Sequence, residues 1–341
     1  MLLAGLLLLA AFSPASAQPP TIQYGTNVPP EVKRIYDRGL AYLASTQQED
    51  GSWSGGQSGT GITGLCLMAF LANGEDPNFG KYSLEVQRCV RNIISSQDAS
   101  TGYLPNSMYH HGFAMLGLSE AYGTVDESLV WPEGADGPNR RTIGQALELA
   151  VRCAVTSQKK NQWGGWRYSP DSTDADTSVS GAVLMGLLAA RNAGIEVPDE
   201  TIDKALDYFR SSTSDSGSVA YAGGIGGHGA SMNRTAIAAL VLSIGKRREW
   251  TQFDATVGHL TSQLEHQESG YPFYFRYYMA QALFQGDFDA WTKWKRENVI
   301  ILRDLQQDDG SFNANHGVAY GTAMSLLALA LDYRFLPIYE R

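Results

Sequence analysis

The stretch 174–194, DADTSVSGAVLMGLLAARNAG, decides the fold: a polar, acidic entry runs straight into a helix with no charged residue between Asp176 and Arg191. A helix that is apolar on every side has to be buried among other helices. The same design, a small polar start followed by a run of Ala, Leu and Gly, recurs at 60–73, 106–118, 231–244, 271–284 and 317–331. Six copies imply a closed, repeating architecture.

Amphipathic helices alternate with these uncharged ones. The first begins near Glu31, with Val32, Ile35, Tyr36, Gly39, Tyr42 and Leu43 at helical spacing, and runs into a link carrying Gln47, Gly51 and Trp53. The pattern returns at 83–96, followed by Gln97 and Gly102-Tyr103, and at 141–157, followed by Gln158 and Gly164-Gly165-Trp166. The helix at 201–212 ends toward Gly217 with Thr213 in the glutamine position. The last two, 253–262 and 298–305, are followed by Gln263 and Gly270-Tyr271 and by Gln306 and Gly310-Ser311-Phe312. The landmarks recur about every fifty residues, room for two helices and two links. Two concentric layers require this alternation, with amphipathic helices outside and uncharged ones inside. The sequence therefore predicts an all-α fold, an α/α toroid of six helical hairpins with inner and outer helix layers, forming a single domain over residues 31–341. The longest insertion, 122–139, carries Pro132, Pro138 and several acids and reads as a surface loop.

With 341 residues, 43% hydrophobic, and a formal charge of -9, the chain has the balance of a globular protein. No basic cluster is present, which argues against a nucleic-acid partner, since phosphate contacts need a basic surface. The opening MLLAGLLLLAAFSPASA ends in Ala15-Ser16-Ala17 and fits a secretory signal peptide at 1–17, cleaved before Gln18, although its start lacks Lys and Arg. Its apolar core is short for a bilayer, so the expectation is an exported protein, periplasmic or extracellular, with no transmembrane segment. A Pro-rich lead at 18–30 follows, with Pro19, Pro20, Pro29 and Pro30. Cys66, Cys89 and Cys153 lack metal-knuckle spacing and read as buried free thiols.

Arg38-Gly39, Tyr42-Leu43, Gln47, Gly51 and Trp53 match the glutamine-tryptophan repeat of squalene and oxidosqualene cyclases, and Gln306, Gly310 and Phe312 repeat its second half. From about Glu31 to Leu331 the chain resembles the prenyltransferase and squalene-cyclase repeat superfamily, which implies a toroid of six hairpins. In the motif, Gln47 and Trp53 are expected to tie the end of an outer helix to the start of its inner partner, and Trp53, Trp163 and Trp166 to be structural. Squalene cyclases protonate their substrate with the middle aspartate of an Asp-x-Asp-Asp-Thr motif. Aligned on Thr177, Ala175 stands in that place, Asp176 matches the last aspartate, and Asp174 falls at the free position. Alanine holds no proton, so the resemblance does not extend to squalene cyclisation. Protein prenyltransferase β subunits hold zinc with Asp, Cys and His; His316 resembles that histidine shifted by one residue, but no Asp-x-Cys pair is present. The Cys-Gly-Glu-Gln of complement-type thioester domains is also missing.

In such a toroid the six inner helices run parallel, so their N-termini converge on one mouth suited to an anion. The candidate ligand-binding residues there are Tyr109, His110, His111, His228, Arg234, Tyr274, His316 and Tyr320, together with Asn233 and Arg276. Of the adjacent pair His110 and His111, at most one can line a cavity. Asp174 and Asp176 are the candidate catalytic acid or base, with helix capping as the competing role of either. No cofactor is identified, and a metal held by these aspartates with His228 and His316 lacks local ligand spacing. The run YAGGIGGHG, 221–229, follows no strand and is not a dinucleotide fingerprint. Large aromatics such as Phe273 and Tyr277 either line the central cavity or plug it.

The leading functional expectation is a ligand with an apolar or isoprenoid-like body and an anionic end, held at the mouth by Arg234, His228 and His316. A second is a polysaccharide lyase or hydrolase acting on a sugar acid. A third is a non-catalytic scaffold for a protein partner.

Overall fold

The computed structural model describes residues 28–56, 58–132, 134, 140–222 and 231–339. The signal peptide expected at 1–17, most of the Pro-rich lead and His228 lie outside the described residues.

Six hairpins follow one another in chain order. Helix α1 (Pro30–Thr46) pairs with α2 (Thr60–Leu71), and α3 (Ser83–Ser96) with α4 (Met108–Ala121). The insertion holds a one-turn α5 (Glu127–Val130) with Asp126 capping Ser128, so it is not wholly irregular. Helix α6 (Ile143–Gln158) pairs with α7 (Thr177–Asn192), α8 (Asp199–Ser212) with α9 (Met232–Ile244), α10 (Thr251–Thr261) with α11 (Pro272–Gly286), and α12 (Phe288–Leu305) with α13 (Val318–Leu329). The result is an α/α toroid. The first helix of each hairpin is one-sided: α1 buries Val32, Ile35, Tyr36, Gly39, Leu40 and Leu43 and leaves Lys33, Arg34 and Asp37 outside. The second is buried all round, as in α2, where every residue from Thr60 to Leu71 is covered. Each inner helix packs on the next, and α13 packs on α2 to close the ring. Small residues let the inner backbones approach: a Cβ on Gly112 would overlap Ala182 of α7. No helix among the described residues is long and apolar enough to cross a membrane.

The repeated glutamine and glycine hold neighbouring repeats together. Gln47 Nε2 donates to the carbonyls of Gly51 (3.3 Å) and of Glu85 in α3 (3.1 Å). Gln97 donates to Gly102 and to Ala146 in α6, Gln158 to Gly164 and to Thr201 in α8, and Gln306 to Gly310 and to Ile35 in α1. The expected tie to the inner partner is therefore corrected: the second bond runs sideways, to the next outer helix. Gly102, with φ 76°, lies so close to the Leu149 carbonyl of that helix that a side chain would overlap it. Trp53 and Trp166 do fasten their own outer helix, donating to the carbonyls of Leu43 (3.0 Å) and Ala154 (2.8 Å). Trp163 is 39% exposed and has no such place in the core.

The joint between the fifth and sixth repeats is built differently. Gln263 meets only the ring of His259, and no neighbouring backbone approaches Gly270. Arg276, expected at the mouth, turns into this wall instead, donating to Asn298 Oδ1 of α12 and to Gln267 Oε1, both at 2.9 Å. Helix α12 also starts ten residues before the expected position 298. Asp287 caps it through Ala290 N–H (2.9 Å), and Trp291 and Trp294 continue its buried stripe.

The axis of the ring is filled with aromatic rings. Repeats two and five stand on opposite sides, and Phe113 of α4 meets Tyr277 of α11 with ring centroids 6.2 Å apart. Below them the C-terminal segment crosses the face. Asp332 pairs with Lys295, Tyr333 packs on Tyr36, and a 3-10 helix, Pro337–Tyr339, reaches the axis. There the Tyr339 hydroxyl lies 2.8 Å from that of Tyr277, and Gln285 donates to the Tyr339 carbonyl. Tyr277 thus plugs the centre, whereas Phe273 packs against Phe312 in the wall.

Candidate functional site

The inner helices begin on the face opposite the C-terminal segment, and there a cavity of about 350 Å³ remains open. It is lined by Tyr109, Tyr168, Ser178, Tyr221, Ser231, Asn233, Arg234, Tyr271, Tyr274, His316 and Tyr320. The first turns of α4, α7, α9, α11 and α13, or the links before them, supply these residues. Its floor is the pair Tyr109 and Tyr274, which meet across the axis with ring centroids 6.0 Å apart. Burial pushes the hydroxyls of both well above the usual phenol range, so they stay protonated donors.

Two polar groups in the cavity are at least nine-tenths buried and lack a bonded partner, Asn233 Oδ1 and the Tyr274 hydroxyl. The Tyr274 oxygen sits near Tyr109, Ser178 and Tyr278 but is aligned with none of them. Buried polar groups normally find a partner, so a cavity holding two orphans is arranged for a polar guest or for water. On the rim, His316 stacks flat against Tyr271, with centroids 5.2 Å apart and planes 2° apart, and its edge meets Tyr320. Arg234 Nε donates to the Val219 carbonyl at 2.9 Å, which fixes its guanidinium over the Tyr221 ring. Arg167 lies on the same ring and pairs with Asp174 at 2.8 Å.

Of the sequence-derived candidates, Tyr109, Arg234, Tyr274, His316 and Tyr320 are brought together here. His110 and His111 are not, which is a correction. His111 is fully buried in the wall, where Nδ1 accepts from Leu104 N–H and Nε2 donates to the Ala150 carbonyl, both at 3.0 Å. Burial lowers it to about 4, with the Ala150 bond opposing, so it is a neutral structural histidine. His110 Nδ1 accepts from Gly61 N–H of α2 at 3.3 Å and is likewise lowered by burial. Asp174 is half-exposed and held by Arg167. Tyr168 and Tyr221 were missed. Each belongs to a link, where no helical period marks an inward side chain.

Asp176 is buried behind this cavity. Its Oδ1 caps α7 by accepting Val179 N–H at 2.9 Å, its own N–H donates to Trp166, and Oδ2 is buried without a partner. Desolvation raises the carboxyl above its ordinary range, against the lowering effects of the Val179 N–H and Arg167. It acts electrostatically on Tyr168 and Tyr274, both cavity residues. Ala175, beside it, is buried and carries no proton to give. Among the described residues no group of three or more His, Cys, Asp or Glu is placed to hold a metal.

Residues 32–319 match the family described as Domain of unknown function (DUF6288). No curated protein matches the chain. An inactive variant of the α-1,6-mannanase GH76A of Salegentibacter sp. HEL1_6, bound to α-1,6-mannotriose, superposes with a TM-score of 0.63 at 9% identity, covering 88% of this chain and 99% of that one. The GH76 α-mannanase of Bacteroides thetaiotaomicron gives 0.61 at 13% identity, over 91% and 97% of the two chains. An arginine-to-alanine variant of the type II terpene cyclase MstE of Scytonema, with geranylgeranyl dihydroxybenzoate, gives 0.60 at 15%, over 90% and 98%. At such identities the likeness is one of fold.

Proposed function

This chain belongs to the DUF6288 family, and we propose that it binds a carbohydrate in the mouth of its toroid. The observation that carries the reading is the cavity lining: six tyrosines, two serines and an amide, with two buried polar groups unpartnered, around a space of about 350 Å³. Tyrosine faces stack on the C–H faces of sugar rings while hydroxyls and amides bond to the sugar hydroxyls. A long isoprenoid body has less support. The channel it would occupy is filled by Phe113, Tyr277 and Tyr339, and it would leave the orphaned polar groups unpaired. Residues 1–17 fit a signal peptide, and the export proposed on that basis would bring the protein to where glycans are met; N-terminal sequencing of the exported form should then begin at Gln18.

Hydrolysis is a second reading, favoured by one observation, the raised carboxyl and unpartnered Oδ2 of Asp176. A buried carboxyl pushed above its ordinary range is the type of group that can give a proton to a glycosidic oxygen. The carboxylate nearest to it in sequence that could assist is Asp174, which pairs with Arg167 at 2.8 Å.

The binding test is calorimetric titration of the purified chain with methyl glycosides and short oligosaccharides, beside the double variant Tyr274→Ala and Tyr320→Ala. Binding lost in the variant supports the reading. An isoprenoid diphosphate that binds where no sugar does would replace it.

A further inference from the structure

We infer that the mouth face carries a second sugar-stacking platform, made by Trp163 and Tyr168, so that the guest is an oligosaccharide whose outer units rest on these two rings; this rests on the carbohydrate reading. Every exposed tyrosine or tryptophan among the described residues, Trp163, Tyr168, Tyr221 and Tyr271, lies on a link that enters an inner helix, and so on the mouth face. The exposed large apolar side chains elsewhere are Phe, Leu and Ile. Rings with a polar tip can stack on a sugar face and bond to its hydroxyls. Their confinement to one face sets that face apart from ordinary surface.

Two of the four rings are already engaged. Arg167 and Arg234 lie against Tyr221, and His316 is stacked flat on Tyr271. Trp163 and Tyr168 have no ring or cation stacked on them among the described residues. Both belong to the link 159–176, and they lead outward from the cavity. Tyr168 lines the cavity and is also 52% exposed, whereas Trp163 takes no part in the lining. A chain whose first unit occupies the cavity therefore meets Tyr168 next and Trp163 after it.

The link is braced so that Trp163 stays in solvent. Asn161 Oδ1 accepts the N–H groups of Trp163 (3.0 Å) and Gly164 (3.1 Å), and its Nδ2 donates to the Gly165 carbonyl at 3.0 Å. Lys160 pairs with Asp171 across the base of the loop. Gly164 lies so close to the Lys204 carbonyl of α8 that a Cβ would overlap it, and the Tyr168 carbonyl accepts Met108 N–H of α4 at 2.8 Å. A ring held in water by a fixed backbone gives up hydrophobic burial, and it loses little further freedom when a ligand lands on it. The core makes no use of Trp163, unlike Trp53 and Trp166, whose indoles are bonded to their own outer helices.

The test is calorimetric titration of the purified chain with the mono-, di-, tri- and tetrasaccharides of the cello-, malto- and α-1,6-manno- series. In at least one series the trisaccharide should bind about tenfold tighter than the monosaccharide, the worth of two ring stacks. That ratio should fall toward one in Trp163→Ala, while Trp163→Phe, which keeps a ring, should retain most of it. Trp163 is the one exposed tryptophan among the described residues, so its oxidation by N-bromosuccinimide, located by peptide mass spectrometry, should be slowed by the trisaccharide and not by the monosaccharide. A ratio near one in the parent, or one that Trp163→Ala leaves unchanged, overturns this inference and leaves the carbohydrate reading standing. A parent that sediments as a dimer where Trp163→Ala sediments as a monomer assigns the platform to a second copy of the chain and also overturns it. If no sugar binds, the carbohydrate reading falls and the inference with it.

Discussion

Gln306, at the end of the last outer helix, donates its side-chain amide to the carbonyl of Ile35 in the first at 2.9 Å. The same bond links repeats one to two, two to three and three to four, so the chain's two ends are joined by the device that joins its middle.

Breaking one such bond should be costly where it is buried. Gln97 is 2% exposed and holds the Gly102 and Ala146 carbonyls. Gln97→Leu is expected to lower stability by about 2 kcal/mol, read by urea unfolding. Gln263→Leu, at an exposed residue that meets only His259, should stay within about 0.5 kcal/mol of the parent.

The landmark glycines separate backbone strain from contact. Gly102 and Gly123 both have positive φ, 76° and 78°, but only Gly102 faces a neighbouring carbonyl, and Gly123 has open space around its Cα. Gly123→Ala should cost about 1 kcal/mol. Gly102→Ala should cost more than about 2 kcal/mol, since Leu149 must also be displaced; thermal melts of the two variants make the comparison.

A buried acid below the axis sets a pH slope. Glu120 is 5% exposed, and desolvation raises it from 4.5 to about 8, opposed by an Ile338 backbone bond. The folded chain therefore keeps a proton that the unfolded chain releases, and this group's contribution to stability falls as pH rises from 4.5 to about 8. Glu120→Gln should gain over the parent across that window, by on the order of a few kcal/mol at its upper end. Unfolding curves at pH 5 and pH 8 check this; a gap between variant and parent that does not widen with pH would contradict it.

Asp176 allows its two roles to be separated. Asp176→Ala removes the cap on Val179 and should destabilise by about 1 kcal/mol. Asp176→Asn keeps an oxygen for that bond but holds no acidic proton. It should remain folded, bind the same sugars and release no reducing ends if hydrolysis is the reaction; undiminished release by this variant would remove Asp176 from the acid's role.

The thiols should be silent in the native state. Cys66, Cys89 and Cys153 are free and buried, and desolvation raises all three, Cys153 to about 11. Ellman's reagent is expected to find none before denaturation and all three after it.

The architecture could be read from the sequence because burial writes itself into composition. The uncharged run 177–190 can only be an inner helix, and the spacing of Gln97, Gln158 and Gln306 marks the ends of outer helices. Direction of contact was harder to read. Gln47 reaches Glu85, thirty-eight residues away, and nothing local to either residue announces the pairing. The start of α12 was hidden because a one-residue link follows α11, leaving no polar punctuation before Trp291. At the site, helix starts located Tyr109, Tyr274, His316 and Tyr320, since first-turn residues must lie at the mouth. The same argument misplaced His110 and His111, because position along a helix does not fix position around it. Both face the seam between neighbouring helices.

Tyr339 seals one end of the axis against Tyr277, and that makes the ring a cup rather than a pipe. A polymer cannot be threaded through it. Whatever enters does so by a terminus or a short branch, and it leaves by the door it came in. A chain-shaped guest is thus met one end at a time, and its interior units pass over the rim without descending.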